Sequence, residues 1–268
     1  MIIIDHFFIL EVNNLFDNNF SPDEVIGLYN YKHYLIMIVY ILLAFILAFL
    51  ASKLSNKSTK IIINSCGIFC IIAELIKLHF RVTVDNIPIL SIQLSFCTLY
   101  MYAFVLWHFK NKHLSNTGLA YLGTGAIIGA LFYITSPNGS IDLFPIYHIK
   151  AIHGLLYHFI MLFTGLLILF KGTFIPKAKY FINYFLFILF FSIFGIYLNK
   201  YHGNNALFLN GTDSSDILTQ IRNYSHILYM SIIFIGEAIL AYWGIFFFYR
   251  LSKMIINKLN IKKHISEN

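Results

Sequence analysis

Residues 34–54 read YLIMIVYILLAFILAFLASKL, with no charged side chain before Lys53. At 1.5 Å of rise per residue, about 20 such residues cross a hydrocarbon core of about 30 Å. Amides inside lipid find no water to bond, so such a run must be helical. Six further runs of similar length follow, at Ile61–His79, Pro88–His108, Gly118–Thr135, Ile149–Phe170, Tyr180–Asn199 and Ile227–Tyr249. The pattern predicts an all-α polytopic membrane protein, a seven-transmembrane-helix bundle. Composition agrees, since 59% of the 268 residues are hydrophobic and 12% charged, about half the charged share of a soluble domain. No polar stretch is long enough for a second domain. The chain divides into an extracytoplasmic segment 1–33, a membrane domain 34–249 and a basic tail 250–268.

Basic residues set the expected orientation. The loops after spans one, three and five carry Lys53, Lys57, Lys60, Lys110, Lys112, Lys171, Lys177 and Lys179. The tail adds Arg250, Lys253, Lys258, Lys262 and Lys263, whereas the opposite side receives Lys32, Lys77, Arg81, Lys150, Lys200 and Arg222. The positive-inside rule then places the C-terminus in the cytoplasm and, across seven spans, the N-terminus outside. A formal charge of +7 is thus a topology signal, and no nucleic-acid partner is expected. The opening MIIIDHFFIL has Asp5 where a signal peptide has a basic region, and no small-residue cleavage site follows. Heavy use of Ile, Phe, Asn and Lys with little Arg suggests an AT-rich bacterial genome, hence a bacterial plasma membrane. The polar outer loop 200–226 is expected to fold over the outer mouth. Span six, apolar nearly all round, is expected to face lipid.

Ionisable groups inside spans are costly and face the bundle interior. Here they are Glu74, Lys77, Cys97, His153, His158 and Glu237. Counting residues places His153 about 6 Å below the outer end of its span, and Cys97 and His158 about 13 Å below that surface. Glu74 and Lys77, three apart, can pair on one helix face; alternatively Glu74 faces a polar cavity and orients a histidine. His153 and His158 lie about 140° apart around their helix, so at most one points at a given site. Either also reads as a hydrogen-bonded packing residue. Glu237 fits a proton relay or a bond between helices. Cys66 and Cys70 lack partner histidines, so packing is the plainer reading and no metal site is expected. Cys97 alone also reads as packing, but beside His153 it becomes an activatable thiol. Gln93, one turn earlier, would then supply an oxyanion donor. Nothing calls for a cofactor: there is no phosphate loop, zinc-protease motif or EF-hand loop, and the last span lacks a lysine for a retinal Schiff base.

Several short motifs recur in a telling order. A histidine opens span one (NYKHYLIMI, His33), and a glutamate lies near the end of span two (AELIKLHF, Glu74). A cysteine lies inside span three (IQLSFCTL, Cys97), a Ser-Pro-Asn corner follows span four (ITSPNGS), and a His-Gly pair opens span five (KAIHGLLY, His153 and Gly154). An asparagine-rich loop ends in Phe-Leu (LNKYHGNNALFL, with Asn199, Asn205, Phe208 and Leu209). The set resembles the YwaF-type integral membrane family, which includes vertebrate transmembrane protein 164. That resemblance implies a lipid acyltransferase or related acyl-handling activity, with membrane lipids as donor and acceptor. By position it makes Cys97 the nucleophile and His153 its base and acid, with Glu74, His33 and Asn205 in support. Two other classes stay open on the residues themselves. One is a proton-coupled transporter or solute-binding protein using Glu74, His153 and Glu237; the other is an assembly partner without chemistry of its own.

Overall fold

The computed structural model describes residues 20–83, 94–137, 139–211 and 216–266. These fold into α1 (Tyr31–Ser52), α2 (Asn56–Thr83), α3 (Leu99–Trp107), α4 (Lys112–Thr135) and α5 (Ile149–Lys171). After them come α6 (Ala178–His202) and the short α7 (Asp216–Tyr224). Helix α8 runs from His226 to Ser266 through a π turn at Gly236–Leu240. A second π turn, Tyr121–Gly125, interrupts α4. No strand occurs among the described residues, only an isolated bridge between Val25 and Pro145. Six helices (α1, α2, α4, α5, α6 and α8) are long and apolar enough to cross a membrane. Of the expected third span Pro88–His108, the described helix is α3; residues 88–93, including Gln93, lie outside the described residues, as do residues 1–19 and Asn138.

Helix ends follow capping rules. Asn30 accepts from the His33 amide (3.0 Å), Asn111 from His113 (2.8 Å) and Leu114 (3.3 Å), and Ser225 from Leu228 (3.3 Å). Each removes an amide that the first helical turn leaves unpaired. His148 caps α5 through Nδ1, accepting from the Lys150 amide at 3.2 Å. Burial and then the Lys150 ammonium push this imidazole below its ordinary pKa, which keeps the accepting nitrogen free. Gly172 and Gly203 end α5 and α6 in the left-handed region, at φ 73° and 65°. The Lys171 ammonium donates to the carbonyls of Ser52 (3.2 Å) and Leu54 (2.5 Å), so the C-terminal ends of α1 and α5 lie together.

Helix α5 is the hub, packed against α1, α2 and α4. Glycines set the closest approaches. A Cβ on Gly118 would sit 2.3 Å from the Ala103 carbonyl oxygen, so α3 and α4 touch backbone to backbone there. A Cβ on Gly165 would meet Ile127 at 2.5 Å, between α5 and α4. Span six does turn apolar side chains outward, Ile182, Leu186 and Phe190 among them, but α6 also buries Tyr184, Phe187, Ile188 and Phe191 along its other face. Uniform apolarity hid that face: large rings filled it, and no polar stripe marked it. Helix α1 is the more lipid-exposed helix, burying only His33, Tyr40, Ala44 and Ala48.

The loop after α6 dips into the bundle. Its 3-10 turn Ala206–Phe208 buries Ala206 and Leu207 completely. The Asn199 side chain donates to the Ala206 carbonyl (3.2 Å) and accepts from the Ala206 amide (2.6 Å). The Leu207 amide donates to Leu94 O (2.6 Å), Tyr229 OH to Phe208 O (2.6 Å), and His226 Nε2 to Leu209 O (2.9 Å). Asn205 closes the loop, donating to Gly211 O (2.7 Å) and accepting from the Asn210 amide (3.0 Å). Irregular backbone at this depth is tolerated because protein groups satisfy it. Replacing Asn199 by alanine should therefore cost about 1–3 kcal/mol per group left unpaired, read as a lower Tm in detergent. Gly118→Ala should abolish stable folding by the same measure. Gly244→Ala, with nothing within 4 Å of the new Cβ, should be neutral or stabilise by about 0.5–1 kcal/mol.

Candidate functional site

Cys97 sits in a turn rather than a helix. Ser95 and Thr98 lock that turn: Ser95 N donates to Thr98 Oγ1 (3.0 Å), Thr98 N to Ser95 Oγ (3.3 Å), and Thr98 Oγ1 to Ser95 O (2.8 Å). Such side-chain bonds compete with helical ones, which is why α3 starts only at Leu99. Two tyrosines hold the turn from neighbouring helices. Tyr121 OH donates to Phe96 O, and Tyr157 OH to Cys97 O at 3.4 Å. The Cys97 sulfur lies 3.7 Å from Gly129 O, its hydrogen-bond acceptor. A Cβ on Gly129 would lie 3.2 Å from the Phe96 ring and 3.4 Å from that sulfur, so glycine lets the turn close on α4. The small-residue pair Gly125 and Gly129 thus serves packing within the chain, Gly125 making room for the Tyr121 ring and Tyr184 OH.

Helix α5 presents its two histidines on different sides. His153 faces α2, with Nε2 3.6 Å from Glu74 Oε1. That oxygen also receives Lys77 Nζ at 2.7 Å, and Oε2 receives it at 2.6 Å. Glu74 thus pairs with Lys77, as its spacing allowed, and lies beside a histidine without a hydrogen bond to it. The His153 Nε2 is enclosed and makes no hydrogen bond among the described residues. Its ring stacks on Tyr157 (5.6 Å, 18°), whose hydroxyl reaches Cys97 O. His158 faces α4 and stacks flat on Tyr133 (3.6 Å, 3°). Its Nδ1 lies 2.7 Å from Gly154 O, and a carbonyl only accepts, so the proton is on Nδ1. Tyr133 OH in turn donates to Ser140 Oγ (2.6 Å). A Cβ on Gly154 would sit 2.1 Å from Tyr133 OH, which explains glycine directly after His153.

The other candidates have other neighbours. His33 Nδ1 accepts from the Tyr29 amide (3.1 Å), leaving Nε2 to donate to Ile134 O (2.9 Å), one of the carbonyls that the end of α4 leaves open. Asn205 works within its loop, away from Cys97's direct contacts. Glu237 lies on the π turn of α8, where its carbonyl accepts from Tyr184 OH (2.6 Å). Its Oε2 is enclosed with no hydrogen-bond partner among the described residues. Tyr184 stacks on Tyr121 (6.1 Å, 13°), so the two π turns and the Cys97 turn are joined through tyrosines. Glu237, Lys77 and Glu74 all lie within electrostatic reach of the Cys97 sulfur. Among the described residues no three His, Cys, Asp or Glu side chains converge as a metal site, and all three cysteines are free thiols.

Counting ionisable groups missed Tyr121, Tyr133, Tyr157 and Tyr184. The available signal was a tyrosine deep in an apolar run, whose hydroxyl must find a partner.

Apolar helices around a shared interior of cysteine, histidine, glutamate and tyrosine define an integral, multi-pass membrane protein with a polar centre. The chain matches the model of the TMEM164 family over residues 28–251 and belongs to that family. No curated protein and no solved structure matches it.

Glu74 is the most enclosed charge of the α2 cluster, at 8% exposure. Lys77→Met should strand it and lower stability by about 1–3 kcal/mol. Adding Glu74→Gln should recover most of that loss, as thermal unfolding of the single and double variants would show.

Proposed function

We propose that this protein is a membrane-embedded acyl-handling enzyme that uses Cys97 as its nucleophile and an α5 histidine for proton transfer. The observation carrying this is Tyr157, which bonds the Cys97 backbone carbonyl and stacks on His153, gathering the cysteine turn and the imidazole around one side chain. The resemblance to vertebrate transmembrane protein 164 supports the same reading and gives the histidine role to His153. In the reaction, the Cys97 sulfur attacks a lipid ester carbonyl while its proton passes to an imidazole. The C–O bond breaks, the imidazole returns the proton to the departing lysolipid alkoxide, and a thioester remains. A second lipid hydroxyl then takes the acyl group and restores the thiol. Substrate enters sideways from the bilayer, as acyl chains in both donor and acceptor require.

Seven crossings, with the N-terminus outside and the C-terminus cytoplasmic, complete this reading. His153 near the start of α5 lies beside Glu74 in the last third of α2, so α2 ends on the side where α5 begins. Helix α4 ends there too, through His33 and Ile134. On this reading the chain crosses once more between α2 and α4, which is supported by α3 and by His108, bonded to Asn64 Oδ1 at 3.1 Å. The lysine-rich loops fall on the far side from His33, which by the positive-inside rule is the cytoplasm.

A second reading, proton-coupled transport, draws on the unpartnered Glu237 oxygen. Purified protein in liposomes separates the two. Cys97→Ala should abolish acyl exchange between lipids and Cys97→Ser should reduce it at least about 100-fold. Exchange unchanged in both variants, with solute uptake that follows a pH gradient and is lost in Glu237→Gln, selects transport instead.

A further inference from the structure

The carboxyl of Glu237 is an enclosed group that the reaction above leaves unused. We propose that it donates a hydrogen bond to the acyl carbonyl oxygen while that carbonyl is attacked by, and then bound to, the Cys97 sulfur. This rests on Cys97 being the nucleophile. Gly125 and Gly129 are four residues apart and share one face of α4, about 6 Å apart along its axis. A Cβ on Gly129 would lie 3.4 Å from Cys97 Sγ, and one on Gly125 would lie 3.0 Å from the Tyr184 hydroxyl. That hydroxyl donates to Glu237 O at 2.6 Å. The thiol and the π turn of α8 thus meet the same glycine face of α4, one helical turn apart. Tyr121 joins them from the side, its ring stacked on Tyr184 and its hydroxyl bonded to Phe96 O. Glu237 also lies within electrostatic reach of the sulfur.

Three nearby donors are already committed. The hydroxyls of Tyr121, Tyr157 and Tyr184 each carry one proton, and each spends it on a backbone carbonyl, of Phe96, Cys97 and Glu237. Glu237 Oε2 is enclosed and has no hydrogen-bond partner among the described residues. A carboxyl in such surroundings is accommodated as the neutral acid, which keeps a proton to donate. Its place on a π turn fits this role, since such turns recur at functional sites. The sequence offered the same role to Gln93, which lies outside the described residues. As Sγ attacks, the C–S bond forms and the C=O π pair moves onto the carbonyl oxygen. There the Glu237 O–H stabilises the charge without losing its proton. The pair then returns, the ester C–O bond breaks, and the thiol proton ends on the lysolipid oxygen. The same hydrogen bond to the thioester carbonyl serves the second transfer, when the acceptor hydroxyl attacks.

The test reads the carbonyl directly. Full-length protein carrying Cys66→Ala and Cys70→Ala, in phosphatidylcholine nanodiscs, is acylated on Cys97 with isotope-labelled p-nitrophenyl palmitate. Infrared difference spectra then give the thioester carbonyl stretch. Glu237→Gln keeps a donor and Glu237→Ala removes it, while both remove the acid, so a difference between the two reads the hydrogen bond. The stretch should rise in frequency in Glu237→Ala and stay near its original value in Glu237→Gln. In acyl exchange Glu237→Ala should lower kcat about 100-fold with KM little changed, and Glu237→Gln should retain at least about a tenth of the original kcat. A stretch that Glu237→Ala leaves unmoved overturns the assignment, whether or not Gln93→Ala moves it. Chemical acylation needs no turnover, so this failure is separate from that of the enzyme reading, which falls if acyl exchange survives in Cys97→Ala.

Discussion

A polar group left unbonded in a bilayer costs several kcal/mol, and nearly every unusual feature of this protein answers to that constraint. Tyrosine hydroxyls bond the backbone wherever it leaves helical geometry. Tyr121 and Tyr157 hold the Cys97 turn, Tyr184 the π turn at Glu237, and Tyr229 the buried loop after α6. Asn199 and Asn205 do the same within that loop, and His33 bonds the Ile134 carbonyl near the end of α4. What makes the interior a site is where this satisfaction stops. His153 Nε2, Tyr40 OH and Glu237 Oε2 are enclosed on three different helices without a hydrogen-bond partner among the described residues.

Glycine and aromatic side chains act together in placing these groups. Gly129 admits the cysteine turn, Gly154 admits Tyr133, and Gly125 admits Tyr184. Each small residue lets a ring or a turn reach a carbonyl that would otherwise stay open. In lipid, where apolar contact between helices gains little over contact with acyl chains, close packing and internal hydrogen bonds carry association. The histidine–glycine pair of α5 illustrates both uses. One residue meets the α2 carboxylate, and its neighbour clears the space for the Tyr133–Ser140 bond.

Most helices were readable from the sequence because hydrophobic length alone identifies them; the exceptions are the third run, helical among the described residues only from Leu99, and α8, which continues past Tyr249 to Ser266. The Cys97 turn was not readable in this way: Ser95 and Thr98 sit in an apolar run, and their bonds to each other are invisible to hydropathy. Glu74 beside Lys77 followed from helical spacing, whereas its closeness to His153 depends on how α2 crosses α5, which no local pattern encodes. The buried face of α6 went unseen for a related reason. Phenylalanine and tyrosine serve both core and lipid contact, so a helix rich in them shows no preferred side. The interior tyrosines were overlooked because they carry no charge, although their hydroxyls needed partners as much as any carboxylate.

Helix α1 is fastened by polar bonds at its two extremities, His33 to α4 at one end and Lys171 to its last carbonyls at the other. Between them it meets α5 through rings and small residues, Tyr40 on Phe159 and Phe45 on Phe170, with Ala44 and Ala48 buried. Such a seam is closed by dispersion alone, and an acyl chain can replace those contacts at little cost. A rod clamped at both tips and smooth along its middle resists sliding but can bow. The most extensive helix pair among the described residues is thus latched by polar bonds only at its ends, with apolar contact along the length between them.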